Sequence, residues 1–171
     1  MPMSTSTWAQ APVDVEIQEF GVGNAWRAGE TIGIRLELTS NGPDDASYWV
    51  EWQLPTADGD LAGHGRRIAL SPGQPRDLWL YGPVQPWTDG DTGMEIRVRS
   101  LEDGIPGLPV VTRRFNPRAS GSAMLDPTTS LLGILGTRRA GIDQYADTGG
   151  SLNTRPPAAN EATGVFAISS P

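Results

Sequence analysis

Leu70-Ser71-Pro72-Gly73-Gln74-Pro75-Arg76-Asp77-Leu78-Trp79-Leu80-Tyr81 joins a turn signal to a short alternating run. Pro and Gly in succession punctuate the chain. The run after them places Leu78 and Leu80 on one face of a strand and Trp79 and Tyr81 on the other. Both faces ask for cover, so the stretch reads as an inner strand of an all-β domain. What covers the aromatic face is the functional question.

Similar runs lie on either side. Upstream, Val13, Val15 and Ile17 alternate with acidic residues until Gly21-Val22-Gly23 breaks the pattern. Thr31–Leu38 is the cleanest strand, with Ile32, Ile34, Leu36 and Leu38 opposite Arg35 and Glu37. Asn41-Gly42-Pro43 is a turn. In Ser47–Leu54, Tyr48, Val50, Trp52 and Leu54 share one face, and Trp49, Glu51 and Gln53 share the other. A loop rich in Asp and Gly is expected from Thr56 to Gly65, then a short strand at Arg66–Leu70. Downstream, Met94–Arg99 alternates and Pro109–Phe115 closes the series. About seven strands at this spacing, with no helical period before residue 117, predict an antiparallel sandwich over 12–116. Trp52 is its natural core anchor. The expected fold is all-β, an immunoglobulin-like or fibronectin-like sandwich without the disulfide.

Residues 1–11 read as a disordered N-terminus or the remnant of a signal. Ala9-Gln10-Ala11 has the small-x-small form of a cleavage site, but no basic or apolar region precedes it. Residues 117–129 read as a linker. Beyond it, 130–171 reads as an incomplete α/β unit or a largely disordered tail. Leu131–Leu135 looks like a buried parallel strand, Arg138–Ala146 like a helix, and Val165–Ile168 like a second strand.

Composition narrows the functions. The 171 residues carry 13 basic and 20 acidic side chains, a net charge of −7. Every basic residue is Arg, and these are scattered, so no basic stripe addresses nucleic acid or anionic lipid. The absence of Cys removes disulfides, thiolate metal sites and a cysteine nucleophile. No run is long enough to span a bilayer as a helix.

Few groups suggest chemistry. Asp58-Gly59-Asp60 and Asp89-Gly90-Asp91 are weak calcium candidates, since hard cations take clustered carboxylates on loops. They lack the spacing and distal Glu of an EF-hand, and Asp-Gly is also a hairpin turn pair. His64, the sole histidine, is expected in an exposed loop, with Ser71 the nearest hydroxyl in sequence. No catalytic residue, no cofactor site and no metal site is assigned. The aromatics lead further. If residues 47–54 and 76–81 share a sheet, Trp49, Trp79 and Tyr81 form one apolar patch outside the core. Trp87 and the loop Gly82–Gly90 are then candidates to fold over it.

The order of signals resembles one family. Ala28-Gly29, the strand Ile32–Leu38, Asn41-Gly42-Pro43, and Leu70, Pro72, Gly73, Arg76, Trp79 and Tyr81 are similar to the extracytoplasmic region of large bacterial membrane proteins common in planctomycetes. There a β-sandwich precedes a domain similar to class I glutamine amidotransferases, whose start resembles Leu131–Gly136 and Gly141–Tyr145. The resemblance implies a non-catalytic accessory domain of the cell envelope, a spacer or docking module for an adjoining domain or envelope protein. It carries over no activity, because the amidotransferase-like part stops after its first unit and supplies no Cys or catalytic His. Two other readings stand beside it. One is a carbohydrate-binding module using Trp49, Trp79 and Tyr81. The other is an accessory fragment of an enzyme whose catalytic domain is missing.

Overall fold

The computed structural model describes residues 11–126, together with the backbone of residues 129–135, 152–154 and 163–169. The chain folds as an all-β sandwich. Three antiparallel strands, β1 (Val13–Phe20), β3 (Thr31–Ser40) and β6 (Arg76–Pro83), form one sheet in the order β1-β3-β6. The second sheet has four antiparallel strands, β4 (Ala46–Pro55), β5 (Leu61–Leu70), β7 (Met94–Glu102) and β8 (Ile105–Phe115), in the order β5-β4-β7-β8. Short β2 (Ala25–Trp26) pairs in parallel with β9 (Ala123–Met124). No helix occurs among the described residues, so none there is long and apolar enough to cross a membrane.

Alternation explains the layers. Along β3, Ile32, Ile34, Leu36, Leu38 and Ser40 are buried, while the residues between them are not. Opposite them, Tyr48, Val50, Trp52 and Leu54 of β4 and Met94, Ile96 and Val98 of β7 fill the same interior. Each sheet thereby has one apolar face, and stacking two such faces removes both from water. Phe20 ties the rims together. Its ring stands edge-on to Trp26 at 5.5 Å, to Trp52 at 5.6 Å and to Phe115 at 6.0 Å. Both buried tryptophans leave their indole N–H without an acceptor, so packing rather than hydrogen bonding holds their side chains.

Several expectations change. The loop expected over 56–65 ends at Asp60, and β5 runs through Gly63-His64-Gly65. The two glycines sit where side chains of β4 lie across β5. A Cβ at Gly65 would stand 2.8 Å from Trp49, and one at Gly63 would stand 2.8 Å from Gln53. The closing strand begins at Ile105 rather than Pro109. Asp103 and Gly104, with φ of 52° and 81°, form the tight turn that pairs it with β7. The expected linker is docked as far as Leu125, because Ala123 N–H donates to Asn24 O at 2.7 Å and Leu125 N–H to Trp26 O at 2.8 Å.

The segment expected as a parallel strand, Leu131–Leu135, lies in β10 (Thr129–Leu135). It runs antiparallel to β12 (Thr163–Ser169), with β11 (Leu152–Thr154) on the far side of β12. An apolar run does not encode strand direction, and an antiparallel ladder needs no crossover helix. The expected helix Arg138–Ala146 and residues 1–10 lie outside the described residues.

At Gly82 of β6 the opposite sheet packs directly against the backbone. A Cβ there would stand 2.6 Å from Leu54 Cδ1 and 3.1 Å from the His64 ring. Gly82→Ala is therefore predicted to cost about 1–3 kcal/mol by urea unfolding, as overpacking does. Gly93→Ala, where nothing lies within 4 Å, should stay within about 0.5 kcal/mol of wild type. Equal effects would contradict this packing.

Candidate functional site

The outer face of the three-stranded sheet is built by the strand of the opening motif. Leu78, Leu80 and Gly82 turn inward, so Asp77, Trp79 and Tyr81 point out. The β3–β6 register sets Tyr81 opposite Gly33, Trp79 opposite Arg35 and Asp77 opposite Glu37. Gly33 lets the rings lie down over the strand. A Cβ there would meet Tyr81 Cε1 at 3.0 Å and Trp79 Cε3 at 3.1 Å. The two rings are near-parallel, 6.1 Å between centroids and 13° between planes. Trp79 is half-buried and Tyr81 is 60% exposed.

Strand β1 supplies the third column. Glu19 is registered to Arg35 and Glu16 to Glu37. Glu16, Glu37 and Asp77 therefore form one carboxylate row across three strands, two residues along from Trp79. Glu16 accepts a long hydrogen bond of 3.4 Å from Gln18, and Glu19 accepts the Gly23 N–H at 2.7 Å. Among the described residues, the Glu37 and Asp77 carboxylates have no ion-pair or hydrogen-bond partner. Arg35 is the one cation these three columns place on the face, and its Nε is buried without an acceptor.

Trp49 does not join this patch. The condition for grouping it with Trp79 and Tyr81 fails, because β4 and β6 lie in different sheets. Trp49 lies on the outer face of the four-stranded sheet, over Gly65 and in register with Arg67 and Arg99. That face is closed by its own ion pairs. Arg99 Nε donates to Glu51 at 3.0 Å and its Nη1 to Gly107 O at 3.1 Å. Glu95 pairs with Arg97 and, at 3.1 Å, with Arg114. The Arg97 hydrogen bond, helped by Arg114, holds the Glu95 carboxyl below its ordinary value. Trp87, in the loop after β6, is 56% exposed. The loop leaves Tyr81 open.

The aspartate pairs serve turns. Thr56 Oγ1 donates to Asp58 and, at 3.0 Å, to the Asp60 carbonyl, which closes the β4–β5 hairpin. Asp89 accepts from Thr92 Oγ1 at 3.0 Å and from the Asp91 N–H at 2.9 Å. Asp91 pairs with Arg118 at 2.6 Å. The threonine hydroxyls lower both the Asp58 and Asp89 carboxyls. No group of three or more His, Asp or Glu among the described residues is placed to hold a metal ion. His64, expected in a loop, faces inward from β5 opposite Trp52, its Nε2 buried without a partner. No hydrogen bond joins it to Ser71, so the two do not form a nucleophile and base.

One feature escaped the sequence reading. A small cleft of about 70 Å³, open to solvent, lies between Gly21, Val22, Trp26, Arg27, Glu30 and Leu125. It reaches Gly33, the glycine beneath the aromatic pair. The only sequence signal for it was the break at Gly21-Val22-Gly23. The far wall comes from the segment read as a linker.

No family model matches the sequence, and no curated protein matches it significantly. Solved structures match it at low similarity. Pseudomonas fluorescens alkylpurine DNA glycosylase AlkC, bound to DNA containing an abasic site analog, is 16% identical over 63% of this chain and 31% of its own, with a TM-score of 0.38. Spo0M, a sporulation control protein from Bacillus subtilis, is 12% identical over 61% of this chain and 46% of its own, with a TM-score of 0.35. The CARDB domain of the PF1109 protein from Pyrococcus furiosus, in complex with di-metal ions, is 11% identical over 73% of this chain and 99% of its own, with a TM-score of 0.37. The chain thus spans less than a third of the glycosylase and less than half of Spo0M. At these scores the likenesses carry no functional argument.

Gly33→Ala tests the seat of the aromatic pair. The added methyl is predicted to push the rings apart, reducing the near-ultraviolet circular dichroism of the coupled rings while the far-ultraviolet strand spectrum stays. An unchanged near-ultraviolet spectrum would contradict the seat.

Proposed function

We propose that this sandwich is a non-catalytic accessory domain of a bacterial envelope protein, docking an adjoining domain or envelope protein on the outer face of its three-stranded sheet. The observation that carries this reading is the Trp79–Tyr81 pair, seated on Gly33, with Trp79 half-buried and Tyr81 open to solvent. Large exposed aromatics on a regular face mark a partner surface. The opposite outer face supports the choice by contrast, since its carboxylates Glu51 and Glu95 are paired with arginines of the same sheet. The resemblance to the planctomycete sandwiches supports an extracytoplasmic location and an adjoining domain. The inward placement of His64, away from any hydroxyl partner, supports a role without catalysis.

A second reading has one observation in its favour. Near-parallel rings 6.1 Å apart suit the C–H faces of sugar rings. A glycan array tells the two apart, because sugar binding that Trp79→Ala abolishes would favour the second.

The docking reading is tested by placing a photo-crosslinking phenylalanine analogue at Tyr81, or at Thr112 on the other outer face, in the chain exported to a bacterial periplasm. Adducts with an envelope protein are expected from position 81 and not from 112. No adduct from 81, or equal adducts from both, would overturn the reading.

A further inference from the structure

The docking face has a chemistry of its own, and this inference rests on the docking reading above. Glu16, Glu37 and Asp77 occupy directly opposed positions on three adjacent strands. Such neighbours have Cβ atoms about 5 Å apart, and like charges so placed repel. In this row Glu37 and Asp77 have no counter-ion among the described residues, and Arg35 is registered to Glu19 and Trp79 instead. Beside the row lie the faces of Trp79 and Tyr81, whose π-clouds also attract cations. Both halves of the surface therefore favour the same charge, and both disfavour phosphate or carboxylate ligands.

We infer that this face docks an extended peptide segment of a partner protein that carries Arg or Lys at alternate positions. The spacing argues for an extended chain. Tyr81, Trp79 and Asp77 succeed one another at every second residue of β6, about 6.6 Å apart. A peptide lying along β6 and β3 presents alternate side chains at the same interval. One guanidinium or ammonium then meets the Glu16–Glu37–Asp77 row while the next stacks on the rings. A neutral sugar would bring hydroxyl donors to the row but no positive charge to offset it.

The test uses the full chain and a labelled Arg-Gly repeat peptide, followed by fluorescence anisotropy. Saturable binding that weakens with added salt is expected. Glu37→Gln combined with Asp77→Asn keeps side-chain shape and is predicted to weaken binding about tenfold or more, roughly 1.4 kcal/mol. Trp79→Ala should weaken it as well, with far-ultraviolet circular dichroism checking that the strands persist. Glu102→Gln combined with Asp103→Asn removes the same charge from the far hairpin tip and should leave binding within about twofold. Equal weakening by the two charge pairs would reduce the effect to net charge and overturn the inference. So would the absence of saturable binding, or binding indifferent to Glu37 and Asp77. If adducts at position 81 persist while the peptide fails to bind, the cationic partner is overturned and the docking reading stands. If the adducts fail, both fall.

Discussion

Phe20 stands edge-on to Trp26, Trp52 and Phe115, and that four-ring contact joins β1, β2, β4 and β8 at one end of the sandwich. Aromatic edges and faces attract in this geometry, on top of the large area each ring removes from water. These rings interlock where the two sheets meet, and Trp52 is fully buried there. Once it is seated, the period of two along each strand decides which residues look outward. The docking face is thus a consequence of the core: burying Leu78 and Leu80 against the opposite sheet obliges Trp79 and Tyr81 to face water.

The two outer faces then diverge through small differences in sequence. On the four-stranded sheet, Trp49 meets arginines on both sides, and Glu51 and Glu95 meet arginines of their own. That surface satisfies itself, though exposed pairs of this kind add little stability. On the three-stranded sheet, Arg35 shares the outer face with the carboxylates of Asp14, Glu16, Glu19, Glu37 and Asp77, of which only Glu19 is registered to it. Glu19 holds the Gly23 N–H and Asp14 the Asn41 amide, but Glu37 and Asp77 have no partner within the described residues. The cost of this negative charge to the isolated domain is small because water screens it, and its direction favours a cationic visitor.

Much of this was legible in the sequence. Strands β3, β4, β6 and β7 alternate so cleanly that their faces follow residue by residue from the sequence, and the same parity places Trp52 in the core. Partner choice was not legible. A period of two tells which face a residue takes but not which sheet its strand joins, so Trp49 and Trp79 looked like neighbours. Gly63-His64-Gly65 looked like a loop because glycine has no strand preference of its own. Only the side chains of Trp49 and Gln53 lying over β5 explain why glycine is needed there. Phe20 lay beyond the point where alternation stopped, because the bulge between Ile17 and Glu19 shifts the register of β1. The row of carboxylates was invisible for the same reason as the misplaced patch, since its three members come from three strands whose pairing only the fold supplies.

The central claim is that the β3–β6 register puts the Trp79 and Tyr81 rings together over Gly33, on a face separate from Trp49. Nuclear Overhauser spectroscopy of the isotopically labelled chain tests this most directly. The account predicts cross-peaks from both rings to the Gly33 α-protons and none from either ring to the Trp49 indole. Cross-peaks between Trp49 and Trp79, with Gly33 silent, would contradict it.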